Sequence, residues 1–205
     1  MRRTFTTLFA AVAATPAFAH HPLGGETPAT LTDGLLSGIG HPVLGLDHLA
    51  FIVAVGVAAM LAGRSLLAPL AYIATMLAGV ALHVMAIEVP MAEFAIALSL
   101  LVIGAMIASG RTSSSAVWLG VFAVAGIFHG FAFGESIYGA EATPMVAYLV
   151  GLGLTQWVIA VGAGLAASAV AGAANAVTPA RLTGASVLGI GLMMVGETAI
   201  SVAFA

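Results

Sequence analysis

Six long apolar runs follow one another at short intervals along this chain of 205 residues. They fall at about 42–62, 66–87, 91–109, 115–133, 144–170 and 182–203. A helix needs ~20 residues to cross a hydrocarbon layer of ~30 Å, and backbone groups inside that layer must bond to one another. Runs of this length predict an all-α fold, a polytopic membrane helix bundle with six transmembrane helices. Composition agrees. Hydrophobic residues make up 61% and charged residues 6%, far too few to cover the surface of a water-soluble domain. The apolar excess also excludes disorder. A net charge of -3 with no Lys/Arg cluster excludes nucleic acid as a partner. Cysteine is absent, which excludes disulfides, thiolate zinc sites and iron–sulfur clusters.

The amino terminus reads as a secretory signal peptide. Met1-Arg2-Arg3 precedes an apolar run from Phe5 to Ala14, and Ala17-Phe18-Ala19 forms an A-x-A cleavage site. Residues 1–19 are the expected signal peptide and residues 20–205 a single six-helix transmembrane domain, with His20 as the mature amino terminus outside the cytoplasm. Arg64, Arg111 and Arg181 fall in the first, third and fifth connections, on one side of the membrane. The positive-inside rule puts that side in the cytoplasm and makes this an inner (plasma) membrane protein with a periplasmic amino terminus. Residues 22–40 are expected to be external, with Leu31 to Ile39 along the interface.

Ionisable side chains in lipid are expensive and mark function. Here they gather at the external ends of the spans. Asp47 and His48 open span 1, His83 and Glu88 close span 2, Glu93 opens span 3, His129 and Glu135 close span 4, and Glu197 lies near the end of span 6. Imidazole and carboxylate are ligands for nickel, cobalt, zinc and copper(II). The first local motif is His41-Pro42-Val43-Leu44-Gly45-Leu46-Asp47-His48. Pro42 suits the first position of a helix. From such a start His41 and His48, seven apart, share a face. Asp47 is an acceptor able to orient a histidine. The second motif runs from His129 to Glu135, and Gly130 and Gly134 allow a helix break that lets both ends face one cavity. His20 could add an α-amine and an imidazole to a metal. The candidate metal-handling set is His41, Asp47, His48, His129, Glu135, Glu93, His83 and His20. No catalytic residue and no permanently bound cofactor is expected. The expected partners are a divalent metal ion and the bilayer, and a homo-oligomer is left open.

These residues resemble the HupE/UreJ family, regarded as nickel or cobalt permeases. Its pattern HPxxGxDHxxxxxxxG is filled by His41, Pro42, Gly45, Asp47, His48 and Gly56. His129, Gly130, Ala132 and Gly134 match an element of span 4, with Glu135 one place earlier than in some members, and Pro90 and Glu93 are similar to the start of span 3. Many members carry a histidine where Phe133 stands and another in span 5, where this chain has Thr155, Gln156 and Trp157. The resemblance implies a secondary permease, not an enzyme, that transports nickel or cobalt. Two other readings remain: an intramembrane zinc-dependent hydrolase, and a non-transporting metal-delivery or assembly subunit for a hydrogenase or urease. Ligand type does not separate nickel from cobalt. The inner half of a path offers few polar groups, among them Ser99 and Thr75.

Overall fold

A reciprocal cap starts the first helix. The Thr30 hydroxyl accepts from the Asp33 backbone N–H at 3.1 Å, and the Asp33 carboxylate accepts from the Thr30 N–H at 3.0 Å. Two donors that a helix start leaves over are thereby satisfied. The computed structural model describes residues 24, 26–62, 68–111, 113–173 and 177–204. The expected signal peptide, His20 and Arg64 lie outside the described residues.

Seven helices and no strand occur among the described residues: α1 (Leu31–Leu44), α2 (Leu46–Leu61), α3 (Ala68–Val84), α4 (Ala92–Ser109), α5 (Ser115–Glu135), α6 (Ala142–Ala173) and α7 (Val177–Phe204). Four of them, α4 to α7, contain stretches long and apolar enough to cross a membrane, and α1 with α2 forms a bent pair that counts as a fifth. The 17-residue α3 is apolar but shorter. Large apolar side chains such as Val146, Val150, Leu154 and Val158 stand exposed along one face of α6, as a lipid-facing surface requires. The protein is a multi-pass helical membrane protein.

The first span differs from expectation. No helix begins at Pro42; α1 begins at Leu31, and Pro42 lies within its last turn. The expected interfacial stretch 31–39 is thus part of a helix packed on α6. Helix α1 stops at Gly45, whose backbone is extended (φ -77°, ψ 108°), and the axes of α1 and α2 meet at 80°. Proline removes one helical donor and crowds the preceding turn, which weakens the helix where it breaks.

Helix α2 is the centre of the bundle. Eleven of its 16 residues are buried, and its sequence is apolar all round, as a fully enclosed helix must be. Around it stand three closely packed pairs: α3 with α5, α4 with α7, and α1 with α6. Glycines set their separation. Gly79 on α3 and Gly126 and Gly130 on α5 lie against the facing backbone, as do Gly104 and Gly184 between α4 and α7. Gly38 on α1 lies against the backbone of Tyr148 and Leu152, and Gly56 on α2 against that of Ala160. Small residues let helices approach where lipid supplies no hydrophobic force between them.

At one end of the bundle Arg181 Nε donates to the Ala108 carbonyl at 2.9 Å and Ser115 Oγ to the Ala62 carbonyl at 3.3 Å. This is the arginine end. The starts of α1, α4 and α6 and the ends of α3 and α5 lie at the other.

A methyl group at Gly38 or Gly56 meets backbone, whereas one at Gly162 meets nothing within 4 Å. Overpacking of ~1–3 kcal/mol corresponds to a fall of roughly 5 °C in the thermal midpoint for a chain of this size. Gly38→Ala and Gly56→Ala should show that fall in detergent, and Gly162→Ala should not. Equal midpoints for all three variants would contradict the packing.

Candidate functional site

The break places the first motif in the interior. His41 sits in the last turn of α1 and His48 in the first turn of α2, on opposite sides of Gly45. They do not share one helix face; the bend brings their rings together, 5.7 Å apart between centroids. His129 reaches the same region from α5, its ring 5.2 Å from that of His48. Asp47 is in the first turn of α2, where a carboxylate suits the positive end of the helix dipole. It acts electrostatically on His129 and Tyr72. All four residues of this cluster are buried, none above 8% exposure.

Hydrogen bonds fix the proton positions. Ser99 Oγ donates to the Ile96 carbonyl at 2.7 Å, so its contact with His129 Nε2 at 3.0 Å must be accepted by the serine oxygen. His129 is then protonated at Nε2 and offers a lone pair at Nδ1. The 3.0 Å contact between the Nδ1 atoms of His48 and His129 requires His48 to donate from Nδ1. The same logic holds at His41. Tyr148 Oη donates to the Phe133 carbonyl at 2.9 Å, so it accepts from His41 Nδ1 at 2.8 Å. Ser136 Oγ lies 3.0 Å from that nitrogen. His41 is therefore also protonated at Nδ1. Metal-binding histidines are oriented in this way, one nitrogen donating to a fixed partner and the other presenting a lone pair. His129 has both nitrogens engaged and acts on His48 as a positioning group.

Two phenyl rings wall the relay. Phe133 lies 4.8 Å from the His41 ring and 4.1 Å from that of His48, and Phe51 lies 4.3 Å from that of His129. Phe133 thus touches the imidazoles of both His41 and His48.

Other expected residues lie elsewhere. Helix α5 runs unbroken to Glu135, because Gly130 and Gly134 are used in packing against Met76 and His83 of α3. Glu135 is therefore exposed, and its neighbour Ser136 points inward instead. Glu93, at the start of α4, is exposed. His83 is half-buried between Phe131 and Tyr138, its Nδ1 buried without a hydrogen-bond partner. Among the described residues no three His, Asp or Glu side chains form a ready-made metal cage. The cluster is a relay of buried imidazoles. Ser136 and Tyr148 carry no sequence signal: Tyr148 is 107 residues from its partner His41.

Fold and site together define a multi-pass helical membrane protein with a histidine relay at a broken helix in its core. The model of the HupE / UreJ protein family matches residues 8–194. Protein HupE of Rhizobium leguminosarum bv. viciae is 32% identical over 163 residues, covering 74% of this chain and 82% of that protein. The chain belongs to the HupE/UreJ family. No solved structure matches it.

The tautomers are testable without any metal. In protein with 15N-labelled histidine, His41 and His48 should be protonated at Nδ1 and His129 at Nε2. Ser99→Ala should remove the preference at His129 and disturb His48, leaving His41 unchanged. A His129 signal protonated at Nδ1 would refute the relay.

Proposed function

We propose that this protein is a secondary permease for a divalent transition metal, nickel or cobalt. The observation that carries this reading is the relay itself: three buried histidines, His41, His48 and His129, brought together across a helix break at the core of a membrane bundle. Broken helices place polar groups at mid-membrane without exposing backbone to lipid, and transporters use them for ion sites. Neutral imidazole suits nickel and cobalt. The HupE/UreJ family, associated with nickel or cobalt transport or with hydrogenase and urease maturation, supports the same reading.

In this reading the bent pair and α3 to α7 make six traverses, with the arginine end in the cytoplasm and the mature amino terminus periplasmic, in the inner membrane. The ion enters from the end where α1 and α6 begin. It exchanges waters for the imidazoles of His41 and of His48. Asp47 supplies negative charge, and His129, held by Ser99, keeps His48 oriented. Ligands added to a moving ion can include Glu93, Glu135 and His83, which lie outside the relay, and the terminal His20. A negative-inside potential favours inward movement of a dication by about 4.6 kcal/mol per 100 mV, at ~2.3 kcal/mol per charge. No chemical step is required, and the protein is proposed not to be an enzyme.

Radiolabelled nickel and cobalt uptake into proteoliposomes tests this. Uptake should rise with an imposed negative-inside potential. His48→Ala should lower it at least ~tenfold, and Ser99→Ala should weaken nickel binding by about ten- to a hundredfold, as for other groups that orient a metal ligand. Binding without uptake would instead indicate metal delivery or assembly.

A further inference from the structure

One face of α6 carries Tyr148, Leu152, Gln156, Ala160 and Gly164, each one turn beyond the last and all buried. Tyr148 and Leu152 lie against Gly38 of α1, and Ala160 and Gly164 lie against Gly56 of α2. Gln156 falls between these contacts, on the stretch of α6 where α1 gives way to α2. It is fully buried, and neither its side-chain oxygen nor its nitrogen has a hydrogen-bond partner. An unsatisfied carboxamide in a protein interior is costly and rare, and calls for a functional reason. The eight residues from Tyr148 to Gln156 span about 12 Å of helix axis at 1.5 Å per residue, so Gln156 lies deeper toward the arginine end than the Tyr148 anchor of His41.

A second orphan stands at the same level. A methyl group built at Gly153 would meet Ile73 at 3.7 Å, so this stretch of α3 is beside this stretch of α6. Tyr72, the neighbour of Ile73, is buried with its hydroxyl unpartnered, and its ring lies 6.1 Å from that of His129. Two buried polar groups without partners thus occur just beyond the relay, in the half of the bundle otherwise poorest in polar side chains.

We infer that Gln156 is the ion's next station on the arginine side of the relay: its carboxamide oxygen receives the divalent cation, or a water bound to it, as the cation leaves the histidines. This rests on the permease reading for its direction of travel. A carboxamide is a neutral oxygen donor. It accepts a cation that imidazole nitrogen holds more firmly and releases it again, as the second of two sites along a path must.

The absence of cysteine from the chain makes the test direct. Gln156→Cys in the full-length protein, in liposomes, should react with a small water-soluble thiol reagent. Nickel or cobalt at about ten times its Kd should slow that reaction ~tenfold, as occupancy of one site requires. Leu154→Cys, on the lipid-facing side, is the control and should show no metal protection beyond that of a free thiol. In uptake assays Gln156→Leu should lose at least ~tenfold in rate while keeping nickel affinity near wild type, and Gln156→Asn, which keeps a neutral carboxamide, should retain more uptake than Gln156→Leu. No labelling at position 156, labelling indifferent to metal, or full uptake by Gln156→Leu would each overturn the proposal. Wild-type protein that binds nickel and takes none up would defeat the permease reading alone; protection of Cys at position 156 would still decide whether a bound ion reaches it.

Discussion

The direction of one hydroxyl orders the core. Ser99 gives its proton to the carbonyl three residues back in its own helix, so it can only accept from His129. That settles which nitrogen of His129 is protonated, and through the 3.0 Å contact, which nitrogen of His48. In water such choices are nearly degenerate. Inside an apolar bundle they are not, because a ring nitrogen facing the wrong way leaves two donors or two lone pairs opposed with no solvent to relieve them. The His41 branch is settled separately by Tyr148, which gives its own proton to the Phe133 carbonyl. Two independent anchors, one on α4 and one on α6, thus hold two imidazoles in the same protonation pattern on either side of one helix break.

The break and the packing depend on each other. A helix that stops mid-bundle leaves carbonyls and amides to be satisfied, and here Gly45 donates back to the His41 carbonyl at 3.2 Å while the Leu49 N–H bonds the Gly45 carbonyl at 2.8 Å. The two halves then need a continuous wall to lie on. Helix α6, 32 residues long, provides it, with Gly38 and Gly56 allowing backbone contact on each side of the bend. The relay sits where these constraints meet.

Much of this was legible in the sequence, and the limits have physical causes. The apolar runs gave the helices because burial in lipid demands length and internal hydrogen bonding, both visible residue by residue. The HPxxGxDH pattern singled out residues that the fold brings together in the interior, but Pro42 suggested a helix start, whereas the Thr30–Asp33 capping box upstream, also readable, is what begins α1. The glycines after His129 suggested a break; packing against α3 used them instead and left Glu135 outside. A glycine in a membrane helix reads the same whether it bends the chain or admits a neighbour, and only the neighbour decides. Tyr148, Ser136 and Gln156 act through partners distant in sequence, which no local pattern encodes.

Depletion of charge from the arginine-side half is itself informative. The relay is walled by Phe133 against His41 and His48 and by Phe51 against His129, both fully buried. Nearer the arginine end lies a cavity of about 280 Å³ lined by Ala59, Ala62, Ala68, Ser115, Trp118, Leu119 and Phe122. Between relay and cavity the helices meet through small residues, Gly56 and Ala59 of α2 against Ala160 and Gly164 of α6. Charged side chains there would hold a dication too tightly to release it and would have to be buried whenever the ion was absent. Small residues carry neither penalty, and they permit the sliding of packed helices by which closed interfaces open. If the protein is a permease as proposed, passage of an ion requires these packed helices to part, α2 from α6 at Gly56, Ala160 and Gly164 among them.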